Sequence, residues 1–177
     1  MKKRALTATL LLSVSLSLLS FDLPKGWIIA GDEAKSYEMG VDKGAGPKGS
    51  NAATIQSKEK SIKGFGTLMQ QALADKYRGK RVKMSGYLKS SGVSEWAGLW
   101  FRVDGNGSGG ILGFDNMEKR AVKGTTDWQR YEIVLDVPEE ASNLAYGALL
   151  SGTGKIWFDD INFEVVTLNV PSTNMIK

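Results

Sequence analysis

The stretch Trp96-Ala97-Gly98-Leu99-Trp100-Phe101-Arg102-Val103-Asp104 decides the fold. Its residues alternate with a period of two. Ala97, Leu99, Phe101 and Val103 fall on one side, while Trp96, Gly98, Trp100, Arg102 and Asp104 fall on the other. This is the pattern of a β-strand with one face on a core. A parity shift of one residue would exchange the faces. Arg102 and Asp104 argue for the parity given, because the other one would turn both toward the core.

The same period recurs on both sides of this stretch. Val82, Met84, Gly86 and Leu88 alternate with Lys83, Ser85, Tyr87 and Lys89. Tyr131, Ile133 and Leu135 alternate with Arg130, Glu132 and Val134. In the last such run Trp157, Asp159, Ile161, Phe163 and Val165 are read as the apolar side, and Phe158, Asp160, Asn162 and Glu164 as the other. Turn chemistry separates the runs at Lys43 to Ser50, Ser90 to Ser94, Asp104 to Gly110, Lys123 to Asp127, Pro138 to Asn143 and Ser151 to Gly154. Eight or more short strands at such spacing imply an all-β sandwich or barrel. The run from Phe65 to Leu73 also fits a helical stripe; a strand over 64–70 and a helical turn near 72–77 are favoured.

Composition narrows the function classes. The 177 residues contain no cysteine and no histidine. That excludes disulfides, thiol nucleophiles, Ser-His-Asp machinery and imidazole zinc sites. Residues 1–20 begin with Lys2, Lys3 and Arg4 and continue as an uncharged apolar run from Ala5 to Leu19. This run is short for a membrane span and reads as a signal peptide or a retained N-terminal anchor, with a buried core segment as the alternative. Either favoured reading places the domain outside the cytoplasm. Three of the 23 Lys and Arg residues, and none of the 19 acidic ones, fall in this segment. The remainder therefore carries a net charge of +1 rather than +4, and no nucleic-acid footprint is expected. One domain is read over residues 21–166, followed by a loose polar tail over 167–177.

Several elements carry a family resemblance. Phe21-Asp22, Gly26-Trp27 and Gly49-Ser50 resemble the opening of carbohydrate-binding modules of the family 4, 9 and 22 type. Tyr77-Arg78-Gly79-Lys80 with Val82 to Lys89, Thr126 to Tyr131, and Ile156 to Ile161 resemble their later strands. The run Trp96 to Gly105, with Phe114 to Met117 and Val134 to Pro138, is similar to a jelly-roll domain found as an accessory unit of bacterial regulators and hydrolase-like proteins. Together these imply a galactose-binding-like, two-sheet antiparallel jelly-roll β-sandwich.

The resemblance directs attention to a concave sheet face. Trp96, Trp100, Arg102 and Asp104 are expected there, with Tyr87 and Lys83 from a neighbouring strand, Gln70 from the 64–70 strand, and Asp115 and Asn116 from the next segment. A pyranose stacks its apolar face on an aromatic ring, and its hydroxyls bond to carboxylate, guanidinium and amide groups. Cross-strand pairing of surface residues is the alternative. Trp27, Trp128 and Trp157 are read as packing residues.

The resemblance also implies a structural calcium at Asp159 and Asp22, with Asp32 and Glu33 as substitutes. Hydrogen bonding of Asp159 to backbone, Arg or Lys is the alternative. Catalysis would need paired carboxylates such as Glu95, Asp104 and Asp115, or Tyr87 with Lys83 or Arg102. The clustered acidic pattern of jelly-roll glycosidases is absent. A non-catalytic carbohydrate-binding domain is therefore favoured. A protein-interaction or sensing domain without a sugar ligand is the competing class.

Overall fold

The computed structural model describes residue 23, residues 25–107 and residues 109–176. The signal-like segment and Asp22 lie outside the described residues. Nine strands account for the described fold: β1 (Ile28–Ala30), β2 (Tyr37–Asp42), β3 (Ala52–Ser57), β4 (Phe65–Leu73), β5 (Lys80–Gly105), β6 (Ile111–Asp115), β7 (Val122–Val137), β8 (Ala141–Ser151) and β9 (Lys155–Val166). All pairings are antiparallel.

β5 organises the molecule. Its first half pairs with β7 and β9, and its second half with β8 and β6. Sheet one therefore runs β1-β4-β8-β5-β6, and sheet two runs β2-β3-β9-β5-β7. The Ser90 to Ser94 segment is not a turn, as its composition suggests. The strand continues through it with register shifts against β7. Ser90 is buried, and its hydroxyl lies 2.9 Å from Thr126 Oγ1 and receives the Thr126 N–H at 3.1 Å. Gly92 sits at φ +60°, where a side chain would be strained. The strand bends here and crosses from one sheet to the other.

The inner faces share one core. Leu68, Leu99, Phe101, Val103, Ala148 and Leu150 of sheet one meet Ile55, Val82, Met84, Leu88, Ile133, Leu135, Ile156 and Phe158 of sheet two. Burial at about 25 cal/mol per Å² of apolar surface makes this contact the main stabilising term. The β5 parity read from the sequence holds: Ala97, Leu99, Phe101 and Val103 are fully buried in this core.

The parity of β9 is corrected. Phe158, not Trp157, enters the core, and Ile161 and Phe163, three and five residues further on, pack against it. Between Ser85/Asn162 and Tyr87/Asp159 the β9 chain advances three residues against two on β5. This is a bulge, with Asp160 at φ +54°, and the extra residue exchanges the two faces. Trp157 lies on the outer face of sheet two, where its indole N–H donates to Asp42 at 2.7 Å and Lys155 Nζ stands 4.5 Å from its ring.

The stretch 65–73 is a strand throughout, followed by a turn in which Tyr77 and Arg78 N–H both bond to Ala74 O. The terminal segment is tied down rather than loose. Thr173 N–H bonds to Val134 O and Met175 N–H to Phe114 O, both at 2.8 Å, so it caps the outer edges of β7 and β6. Arg81 holds the carbonyls of Leu168 and Val170 while pairing with Asp136. Exposed edges are thereby covered.

Candidate functional site

The outer face of sheet one carries a cleft of about 400 Å³. Alternation puts Trp96, Trp100 and Arg102 of β5, Thr67 and Met69 of β4, and Leu149 of β8 on this face. Phe114, opposite Arg102 on β6, and Asn116 just beyond it form another wall. Gly98 allows that wall to approach. A Cβ there would stand 2.9 Å from the Asn116 carbonyl oxygen.

The two tryptophans play different parts. Trp100 is only 6% exposed and packs with Ala145 and Leu149 in a small second core. Its indole N–H donates to Thr67 Oγ1 at 2.8 Å. That hydroxyl donates in turn to Ala148 O at 2.7 Å. Trp100 lies on the expected face, but as a nearly buried floor residue rather than an accessible stacking surface. Trp96 is half-buried and presents the accessible ring.

Arg102 is oriented by Asp104, through bonds of 2.7 Å and 3.1 Å. Asn143 Nδ2 donates to the same carboxylate at 2.9 Å. Asp104 therefore acts as a brace for the guanidinium. Asn116 Oδ1 accepts the Glu118 N–H at 3.1 Å, which turns its amide nitrogen outward from that bond.

The remaining expected partners lie elsewhere. Tyr87 and Lys83 sit on the first half of β5, on the outer face of sheet two. Lys83 pairs there with Glu164 and Glu132, and its pKa is raised chiefly by the Glu164 hydrogen bond. The bend at Ser90 to Ser94 carries them to the opposite side of the sandwich. Gln70 follows Met69 on β4 and so points inward, where it accepts the Tyr146 hydroxyl at 2.6 Å. Asp115 is fully buried, paired with Arg120 at 2.8 Å and accepting the Met117 N–H. It braces the loop after β6 and does not face the cleft.

Asp159 is half-buried at the β9 bulge rather than aimed into the core. Its Oδ2 accepts the Ser50 hydroxyl at 2.7 Å and its Oδ1 the Asp160 N–H at 2.8 Å. Among the described residues no three acidic groups converge on a metal position. Of the carboxylates weighed for catalysis, Glu95 accepts the Ser151 hydroxyl at 2.6 Å, Asp104 is engaged by Arg102, and Asp115 is buried.

Phe65, Met69 and Phe114 were missed as cleft residues. Period two signals such residues only once the sheet order is known. No helix among the described residues is long and apolar enough to cross a membrane.

No family model matches the chain. Over 152 residues it is 43% identical to a Bacillus subtilis (strain 168) protein named as an uncharacterized HTH-type transcriptional regulator, YbfP. The match covers 85% of this chain and 51% of that protein, so the chain spans about half the length of its curated relative. Among solved structures, the enzymatically active domain of tailspike protein 4 from bacteriophage CBA120 superposes with a TM-score of 0.62 at 10% identity, over 85% of this chain and 20% of that one. The CBM22-1 xylan-binding domain of Paenibacillus barcinonensis Xyn10C superposes with a TM-score of 0.56 at 18% identity, over 84% and 92%. At these identities the likeness is one of fold: the chain is an antiparallel jelly-roll β-sandwich with the architecture of that xylan-binding domain.

Proposed function

We propose that this domain is a non-catalytic carbohydrate-binding unit whose ligand occupies the cleft over sheet one. The observation that carries this reading is the cleft itself. An accessible Trp96 ring and the apolar walls of Met69 and Phe114 stand beside an Arg102 guanidinium held in place by Asp104. Stacking on the ring with one or two fixed polar contacts is how a shallow site holds a sugar. The xylan-binding domain named above has the same architecture.

The test is a glycan array and polysaccharide pull-down with the full chain, with and without calcium. A defined glycan retained by wild type and lost in Trp96→Ala supports the reading. A folded protein that retains no glycan rejects it. The calcium implied by the resemblance would be held by the Asp159 and Asp22 carboxylates. A calcium-dependent rise in melting temperature, absent in Asp159→Asn, is the expected result.

A second reading is favoured by the 43% identity to a regulator. There the domain is a sensing or protein-interaction unit, and the same cleft takes a protein segment or effector. Pull-down of a protein partner lost in Trp96→Ala, with a blank glycan array, would favour it. Export is part of the first reading, and it rests on the composition of residues 1–20. Fractionation of the producing cell tests it.

A further inference from the structure

A second cleft, of about 410 Å³, opens between the inner faces, where β4 and β8 of sheet one meet β3 and β9 of sheet two. Sheet one separates it from the cleft described above. Met69 lines one and Gln70 the other, as consecutive residues of one strand must.

Its chemistry differs from that of the sheet-face cleft. Trp27 stands at its wall, 6.4 Å from the Tyr146 ring and 5.3 Å from the Phe158 ring. Tyr146 donates its hydroxyl proton to Gln70 Oε1, which fixes the amide orientation. Among the described residues Gln70 Nε2 makes one long contact, 3.5 Å to the Lys25 carbonyl. Asn51 accepts the Gly44 N–H through Oδ1 and keeps its amide donors. The β9 bulge sets the carboxylates of Asp159 and Asp160 at the mouth. No Lys or Arg is among the described lining residues, and Lys48 lies in the adjoining pocket that Asp159 and Asp160 also line.

An aromatic wall, oriented amide donors and carboxylate acceptors match a ring that carries several hydroxyls. In the calcium-free protein these two carboxylates, with no cation in the described lining, disfavour an anionic ligand. We infer that the inter-sheet cleft is a second ligand site, for a neutral polyhydroxylated ring such as an uncharged pyranose, held by Trp27, Gln70, Asn51 and Asp160. The sheet-face cleft has the opposite character, with Arg102 and no carboxylate among its described lining residues. The inference goes beyond the sheet-face reading and does not depend on it.

The experiment follows the five tryptophan indole N–H resonances of the full chain by NMR, assigned with single Trp→Phe variants. In calcium-free buffer, neutral xylose-, glucose- and galactose-based oligosaccharides and, separately, digalacturonic acid are titrated to millimolar concentration. At least one neutral oligosaccharide is expected to shift Trp27 saturably, and digalacturonic acid to leave it unmoved. Gln70→Ala should weaken the Trp27 titration about tenfold and leave that of Trp96 unchanged. Asp160→Asn tolerates the left-handed backbone, so it keeps the fold while removing the charge. It should let digalacturonic acid move Trp27. No neutral-sugar shift at Trp27 in the folded protein overturns the inference, as does an equal response to the acid. Because Trp96 reports the sheet-face cleft, the two sites can fail separately.

Discussion

The Trp100 indole donates its proton to Thr67 Oγ1 across 2.8 Å, and the same hydroxyl donates to the Ala148 carbonyl. One small side chain thus satisfies the only polar atom of a nearly buried ring, within a chain of bonds linking β5, β4 and β8. Thr67→Val keeps the shape of the side chain and leaves the indole N–H without a partner. A loss of about 1–3 kcal/mol is expected, read as a lower urea midpoint. Trp100→Ala should cost about 3–5 kcal/mol through the cavity it leaves. Wild-type stability in either variant would show that the floor of the cleft is not packed as described.

Trp96→Ala is expected to behave in the opposite way. The ring is half-buried at the rim and is not part of the main core. Its removal should lower the melting temperature by only a few degrees, for a stability change of about 1 kcal/mol, while glycan retention falls to background. Isothermal titration with whichever glycan the array identifies checks both halves. Retained affinity in a folded Trp96→Ala protein would move the sugar site elsewhere.

The contrast between these tryptophans explains what was legible in the sequence. Alternation from Trp96 to Asp104 gave the correct inward and outward sets, because charged Arg102 and Asp104 break the symmetry between the faces. It could not say which outward residue a neighbouring strand would bury. Leu149 and Ala145 of β8 cover Trp100, and their placement depends on a register set by β8 pairing with both β4 and β5. The two errors of assembly also have local causes. Ser90 to Ser94 has turn composition, yet the Ser90 hydroxyl bonds across to Gly124 and Thr126 of β7, so the chain bends without turning back. Tyr87 and Lys83 therefore end on the far sheet. At β9 one inserted residue, Asp160, reverses a period that the sequence alone presents as unbroken.

Asp115 gives a third prediction. Its carboxylate is fully buried, and Arg120 supplies two of its contacts, at 2.8 Å and 3.2 Å. Removing one partner of a buried pair leaves an uncompensated charge. Arg120→Ala should therefore destabilise the domain by about 2–4 kcal/mol, somewhat below the usual range because Arg120 is partly exposed. Adding Asp115→Asn to that variant should recover part of the loss. Urea unfolding of the four proteins in the cycle measures the coupling. Additive losses would mean that the pair contributes nothing as a pair.

Asp42 should contribute to the acid response, as should Asp136, which Arg81 holds below its ordinary value. Burial raises the Asp42 pKa, but the hydrogen bond from the Trp157 indole and the hydrogen bond and charge of Lys155 outweigh that effect, and the folded value lies below the ordinary one. The unfolded chain, with an Asp pKa of about 3.9, then binds the proton more readily than the folded one. The resulting stability is present in full above the unfolded value and is lost as pH falls through the folded value. Asp42→Asn should thus be less stable than wild type at neutral pH, by about 1–3 kcal/mol for its charge-assisted bonds. The difference should shrink below about pH 4. Urea midpoints of both proteins between neutral pH and about pH 2 test this. Parallel curves across that range would show that the Asp42, Trp157 and Lys155 cluster does not hold the carboxylate in its charged form.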